Sequence, residues 1–129
     1  MKLTKLNCVS EAERVIKSMI KRDKNGRASI GITTSKIRNL LSMISGIYHD
    51  AIRSKEKQLS DDILSRIQYL KMRFAYEAGR DKNVKEFVNM ANIFQVIDEI
   101  GKEKENLIVF CHYMEALVAY RKFYVEKDD

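Results

Sequence analysis

The stretch Ile63-Leu64-Ser65-Arg66-Ile67-Gln68-Tyr69-Leu70-Lys71-Met72-Arg73-Phe74-Ala75-Tyr76-Glu77-Ala78-Gly79-Arg80 decides the fold class. Ile63, Ile67, Leu70, Phe74 and Ala78 recur every three or four residues, the spacing that lines one side of an α-helix. A second line runs beside that apolar face: Arg66, Tyr69, Arg73, Tyr76 and Arg80. Arginine holds its charge in a planar fork that fits phosphate, and an unpaired base can stack on a tyrosine ring. Such a row along a packed helix is a candidate surface for single-stranded nucleic acid, with Tyr69 and Tyr76 as candidate stacking platforms. The competing reading is that the tyrosines seal the edge of a core while the arginines lay their stems across it.

Upstream, Thr33, Thr34 and Ser35 supply N-cap side chains for a helix with Ile37, Leu40, Leu41, Ile44, Ile47, Tyr48 and Ala51 on its buried face. Lys36 and Arg38 flank that face in the first turn. Earlier still, Ser10-Glu11-Ala12-Glu13 has the S-x-x-E form of a capping box. It predicts the start of a first helix with Ala12, Val15, Ile16, Met19 and Ile20 inside. Lys24-Asn25-Gly26-Arg27 breaks that helix, and residues 24–32 read as a flexible basic linker. Ser29 to Thr34 is the one short β-like run, and it has no partner of similar quality.

Downstream, Ser60, Asp61 and Asp62 cap the arginine–tyrosine helix and place acid at its positive end. Gly79 and Asp81 mark a turn into a fourth helix from about Asn83 to Ile100, with Gly101 as its C′ residue. Its inward residues are Val84, Phe87, Val88, Ala91, Phe94 and Ile97. A fifth helix, from about Lys104 to Tyr124, is apolar on nearly every side and belongs in the middle of a bundle. The polar tail, Glu126 to Asp129, is expected to fray. The expected architecture is all-α, with residues 1–129 forming a single compact bundle of about five helices joined by short connections.

Composition agrees with helices: none of the 129 residues is proline, so there are few forced breaks. Lys and Arg number 24 against 18 Asp and Glu, a net charge of +6. The excess is uneven. Residues 1–57 hold 13 basic and 5 acidic side chains, and residues 58–129 hold 11 and 13. The first half therefore favours an anionic partner. Two isolated cysteines, Cys8 and Cys111, do not make a disulfide scaffold or a metal-ligand pattern. Met1 to Asn7 lacks the apolar stretch of a signal peptide, and no run approaches the roughly eighteen apolar residues of a membrane span. The expected location is cytoplasmic, with no membrane partner.

Signatures of catalysis are missing. No phosphate-cradling G-x-x-x-x-G-K-[ST] loop, G-x-S-x-G elbow or H-E-x-x-H pair is present. His49 and His112 fall on different helices. His112 adjoins Cys111, but neighbours on a helix point about 100° apart. Asp61-Asp62 reads as a helix cap and not a metal pair, and Glu77 and Glu115 read as partners for nearby cations. No catalytic residue, metal or cofactor is therefore expected. What remains is a polyanion surface: the Arg66, Arg73, Arg80 line, the Lys36 and Arg38 pair, and the late cluster Arg121-Lys122. Without a helix-turn-helix, zinc-finger or RNP motif, that surface would contact phosphates and stack bases without reading their sequence.

Three segments go beyond a generic bundle: Thr33-Thr34-Ser35-Lys36-Ile37-Arg38-Asn39, then Tyr69 to Arg80, then Tyr113-Met114-Glu115-Ala116-Leu117-Val118-Ala119-Tyr120. In this order, TTSK-x-RN, YLK-x-x-F-x-YEAGR and EALVAY resemble the small subunit of the type III-A CRISPR effector, the Csm complex. The resemblance covers about residues 30–126. It implies a helical, non-catalytic protein whose copies stack as a short filament beside the RAMP-fold backbone subunit that holds the guide RNA. It implies that the copies line the channel for target RNA, with cleavage left to the backbone subunit and to the large polymerase-like subunit. The functional positions it implies are Lys36, Arg38, Lys71, Arg73 and Arg80, with Arg121 and Lys122 just after the third motif. The alternative function is a generic helical module that docks its basic face on an acidic protein partner.

Overall fold

A computed structural model describes residues 2–125. The chain folds as α1 (Cys8–Met19), a two-stranded hairpin of β1 (Lys21–Arg22) and β2 (Ala28–Ser29), α2 (Thr34–Arg53), α3 (Asp61–Arg80), α4 (Lys82–Met90), α5 (Ile93–Ile100) and α6 (Lys104–Tyr124). The all-α bundle is present, but the described residues hold six helices where five are expected. The polar tail, 126–129, lies outside the described residues.

The sixth helix arises because the expected fourth one breaks. At Asn92 the backbone turns left-handed (φ 52°), and the Asn92 amide donates to the Asn89 carbonyl at 3.2 Å. Asparagine tolerates this conformation better than most side chains. The break resets the helical phase, so Ile93, Val96, Ile97 and Ile100 face the core, and Phe94 is only partly buried.

Two other expectations need correction. The Ser10 capping box is not formed. The first helix begins earlier, at Cys8 after Asn7, and the Ser10 hydroxyl donates to the Asn7 carbonyl at 3.1 Å. Glu13, the expected reciprocal cap, instead accepts a hydrogen bond from the Tyr124 hydroxyl of α6. Strands also exist. Residues 28–29 pair antiparallel with 21–22, Lys21 opposite Ser29 and Arg22 opposite Ala28. The partner lies upstream of the basic segment, where the sequence continues α1. Caps read correctly at α2 and α3: Thr33 accepts from the Lys36 amide at 3.1 Å and Ser60 from the Ile63 amide at 3.2 Å.

The all-round apolar α6 occupies the centre. It packs on α1, α2 and α5, burying Leu107, Phe110, Met114 and Leu117 completely. The Tyr113 hydroxyl reaches the Ala91 carbonyl at 2.8 Å, tying α6 to the α4–α5 break. This leaves α3 against α2 on one flank and α4 and α5 on the other, with its arginine–tyrosine line facing outward.

Candidate nucleic-acid interface

Two ion pairs fix how α2 and α3 lie. Lys36 at the start of α2 reaches Asp81 just past α3 at 3.1 Å, and Asp50 near the end of α2 reaches Arg66 near the start of α3 at 2.7 Å. The helices therefore run antiparallel. Between them lies a groove of about 460 Å³. Met43 and Ile47 contribute from α2, and Arg66, Tyr69, Leu70 and Arg73 from α3. The first part of the stripe, Arg66, Tyr69 and Arg73, is thus one wall of a groove, and Tyr76 and Arg80 lie beyond it. Tyr69 and Tyr76 are 59% and 63% exposed, so they do not seal a core edge.

The cations along this face differ in how far their charge is already met. Arg66 is held by Asp50 and lies 3.9 Å from Asp62. Its guanidinium beside Asp50 holds that carboxyl below the ordinary aspartate range. Lys36, with the backbone amide of Asn83, does the same to Asp81. Lys71 points the other way, to Asp98 of α5 at 2.6 Å. Arg80 lies 3.8 Å from Glu77 and 5.6 Å from the centre of the Tyr76 ring. Arg38 and Arg73 are exposed and have no carboxylate within ion-pair distance among the described residues. Arg73 combines that freedom with a place in the groove beside an exposed ring. Lys122 is exposed at the end of α6.

Arg121 does not belong to this surface. It is 1% exposed, and its guanidinium donates to two backbone carbonyls, Ile32 at 3.0 Å and Ile30 at 3.4 Å. The expectation that it meets RNA is corrected: α6 turns the side chain inward, where it holds the segment that leads into α2.

The folded chain also gathers a histidine and a cysteine that the sequence keeps apart. His49 of α2 lines a cleft of about 200 Å³ with Cys111 and Glu115 of α6. Burial, and then the Glu115 charge, push the Cys111 thiol up to about 12. The reactive form of cysteine is the thiolate, so this thiol is not a nucleophile. No group of three or more His, Cys, Asp or Glu able to hold a metal ion occurs among the described residues. No described helix is long and apolar enough to cross a membrane.

Fold and site together define a small helical protein that offers a groove with cations and rings. Its residues 10–127 match the family described as Csm2 Type III-A. It is 45% identical to the CRISPR system Cms protein Csm2 of Streptococcus thermophilus over 126 residues, 98% of each chain. The protein of the same name from Enterococcus italicus is 40% identical over 109 residues, covering 80% of this chain and 78% of the relative. That from Mycobacterium tuberculosis is 38% identical over 120 residues, 93% of each. The chain belongs to the Csm2 family of type III-A CRISPR systems.

Proposed function

We propose that this Csm2-family protein lines the path of target RNA in a type III-A effector, meeting phosphates and unpaired bases without reading sequence. The observation that carries this is Arg73. Its charge is not met by any described carboxylate, and it stands in a groove on the same helical line as the exposed rings of Tyr69 and Tyr76. Arg38 is a second free cation, while Lys36, Arg66, Lys71 and Arg80 share their charge with nearby acids. Lys122 extends the basic surface at the end of α6. Sequence-neutral contacts suit a subunit that must accept any target, because pairing with the guide RNA carries the specificity, as in other RNA-guided effectors. Copies of the chain stack beside the RAMP-fold backbone subunit and the large polymerase-like subunit, which needs two different faces in head-to-tail contact.

The test is a salt titration of target RNA binding by assembled complexes carrying Arg38→Ala and Arg73→Ala. Each single-strand phosphate contact adds roughly 0.7 to the salt slope, so the double variant should lose about 1.4. The loss should be similar for unrelated guide–target pairs. An unchanged slope with impaired assembly would show that this face docks on an acidic protein neighbour.

A further inference from the structure

The hairpin between α1 and α2 is a second cationic surface, separate from the α2–α3 groove. Lys21, Arg22, Lys24 and Arg27 lie within it and all four are exposed. Asp23 is its one acid, and its carboxylate is committed to the turn, accepting from the Asn25 and Arg27 amides at 2.9 Å each. The Arg22 guanidinium closes the loop on the Gly26 carbonyl at 3.0 Å. Like charges this close repel, and a two-residue ladder is too short to offset that alone. The fold holds the hairpin from its root. Ile30 and Ile32 are buried, and the buried Arg121 grips both their carbonyls.

The hairpin does not stand alone in space. Lys21 lies 3.9 Å from Glu86 of α4, and Gly31 lies so close to α4 that an added Cβ would stand 2.6 Å from the Asn83 side-chain oxygen. Lys82 and Lys85 are exposed on the same helix, Lys82 one turn before Glu86. The combined patch has no large exposed apolar side chain between 21 and 29 or between 82 and 86. Protein–protein interfaces centre on aromatic and apolar side chains and are depleted in lysine, so this patch is built unlike one. Lysine- and arginine-rich polar surfaces of this kind fit a phosphate backbone.

We infer that the Lys21–Ser29 hairpin, with Lys82 and Lys85, is a second binding site for the RNA phosphate backbone. This rests on the reading of the protein as RNA-lining but names different residues. Two sites on different elements let one protomer touch a strand at two places, so their slopes should add.

The test compares the full-length chain carrying Lys24→Ala with Arg27→Ala, the chain carrying Lys82→Ala with Lys85→Ala, and the Arg73→Ala chain. Each is titrated with an unstructured single-stranded RNA at several salt concentrations, with circular dichroism as the check on folding. Each double variant should weaken binding about tenfold and lower the salt slope by about 1.4, and Lys24→Arg with Arg27→Lys should restore both. Unchanged affinity and slope in both doubles, with a loss in Arg73→Ala, would overturn the hairpin site and leave the groove standing. No change in any of the three would overturn both. Unchanged RNA binding with loss of assembly into the complex would show that the hairpin meets a protein, and would also overturn the proposal.

Discussion

Arg121 shows how much a single residue's register can decide. A buried guanidinium must have partners, and here backbone carbonyls of Ile30 and Ile32 supply them. Replacing Arg121 with Met removes both bonds and leaves those carbonyls without the donor, which should cost about 2–4 kcal/mol. Arg121→Lys should not restore the loss, because an ammonium lacks the planar fork that spans two acceptors. Urea unfolding of the three proteins checks this, and amide exchange should speed first between residues 28 and 33. The placement was legible in the sequence. Met114, Leu117 and Arg121 fall at helical spacing, so the arginine shares the core side of α6, and its cationic neighbour Lys122 distracts from that. Cys111 teaches the complementary lesson. Its raised thiol pKa means the unfolded chain ionises first, so this group's contribution to stability is intact below the ordinary thiol range and is lost as pH climbs toward about 12. Because Cys8 is buried as well, neither cysteine should react with a thiol reagent at pH 8 until denaturant is added, when two thiols should appear.

At the level of elements, the apolar circumference of the last helix predicted its central place. Leu117, 0% exposed on α6, should cost roughly 2–5 kcal/mol when replaced by Ala, because close packing on α1, α2 and α5 limits collapse around the cavity. A loss below about 1 kcal/mol in denaturant unfolding would place the helix at the edge. The break between α4 and α5 was harder to read. Val84, Phe87, Val88 and Ala91 continue at helical spacing onto Phe94 and Ile97 but also onto the polar Gln95 and Asp98, whereas Ile93, Val96, Ile97 and Ile100 form a face of their own. That slip in phase was visible. The left-handed turn that produces it was not, since a lone Asn inside a helical pattern carries little weight. Asn92→Gly should be tolerated, while Asn92→Val should cost about 1–2 kcal/mol because its branched Cβ crowds the next carbonyl at positive φ. The hairpin escaped the reading for a related reason. Each strand has two residues, too few for alternation to show.

Across the whole molecule, the fold redistributes a charge that the sequence shows as lopsided. The arginine–tyrosine line was legible because a helical period fixes which residues share a face. Which of those cations keep their charge available was not, because the acids that meet them come from distant parts of the chain: Asp50 for Arg66, Asp81 for Lys36, Asp98 for Lys71. The availability of surface cations is therefore a property of packing, and it can be changed without touching a cation. Asp50→Asn keeps the side chain's shape and removes the charge that occupies Arg66 at the mouth of the α2–α3 groove. If the groove meets RNA, the freed guanidinium should take up a phosphate. RNA affinity should rise, and the salt slope should steepen by about 0.7. Thermal stability should change little, since the pair is solvent-exposed and such pairs contribute weakly. Asp98→Asn on the far flank of α3 should leave RNA binding unaltered, because Lys71 turns away from the groove toward α5. A gain in both variants would point to net charge alone, a gain in Asp50→Asn only would localise the RNA to the groove, and a gain in neither would remove Arg66 from the RNA path.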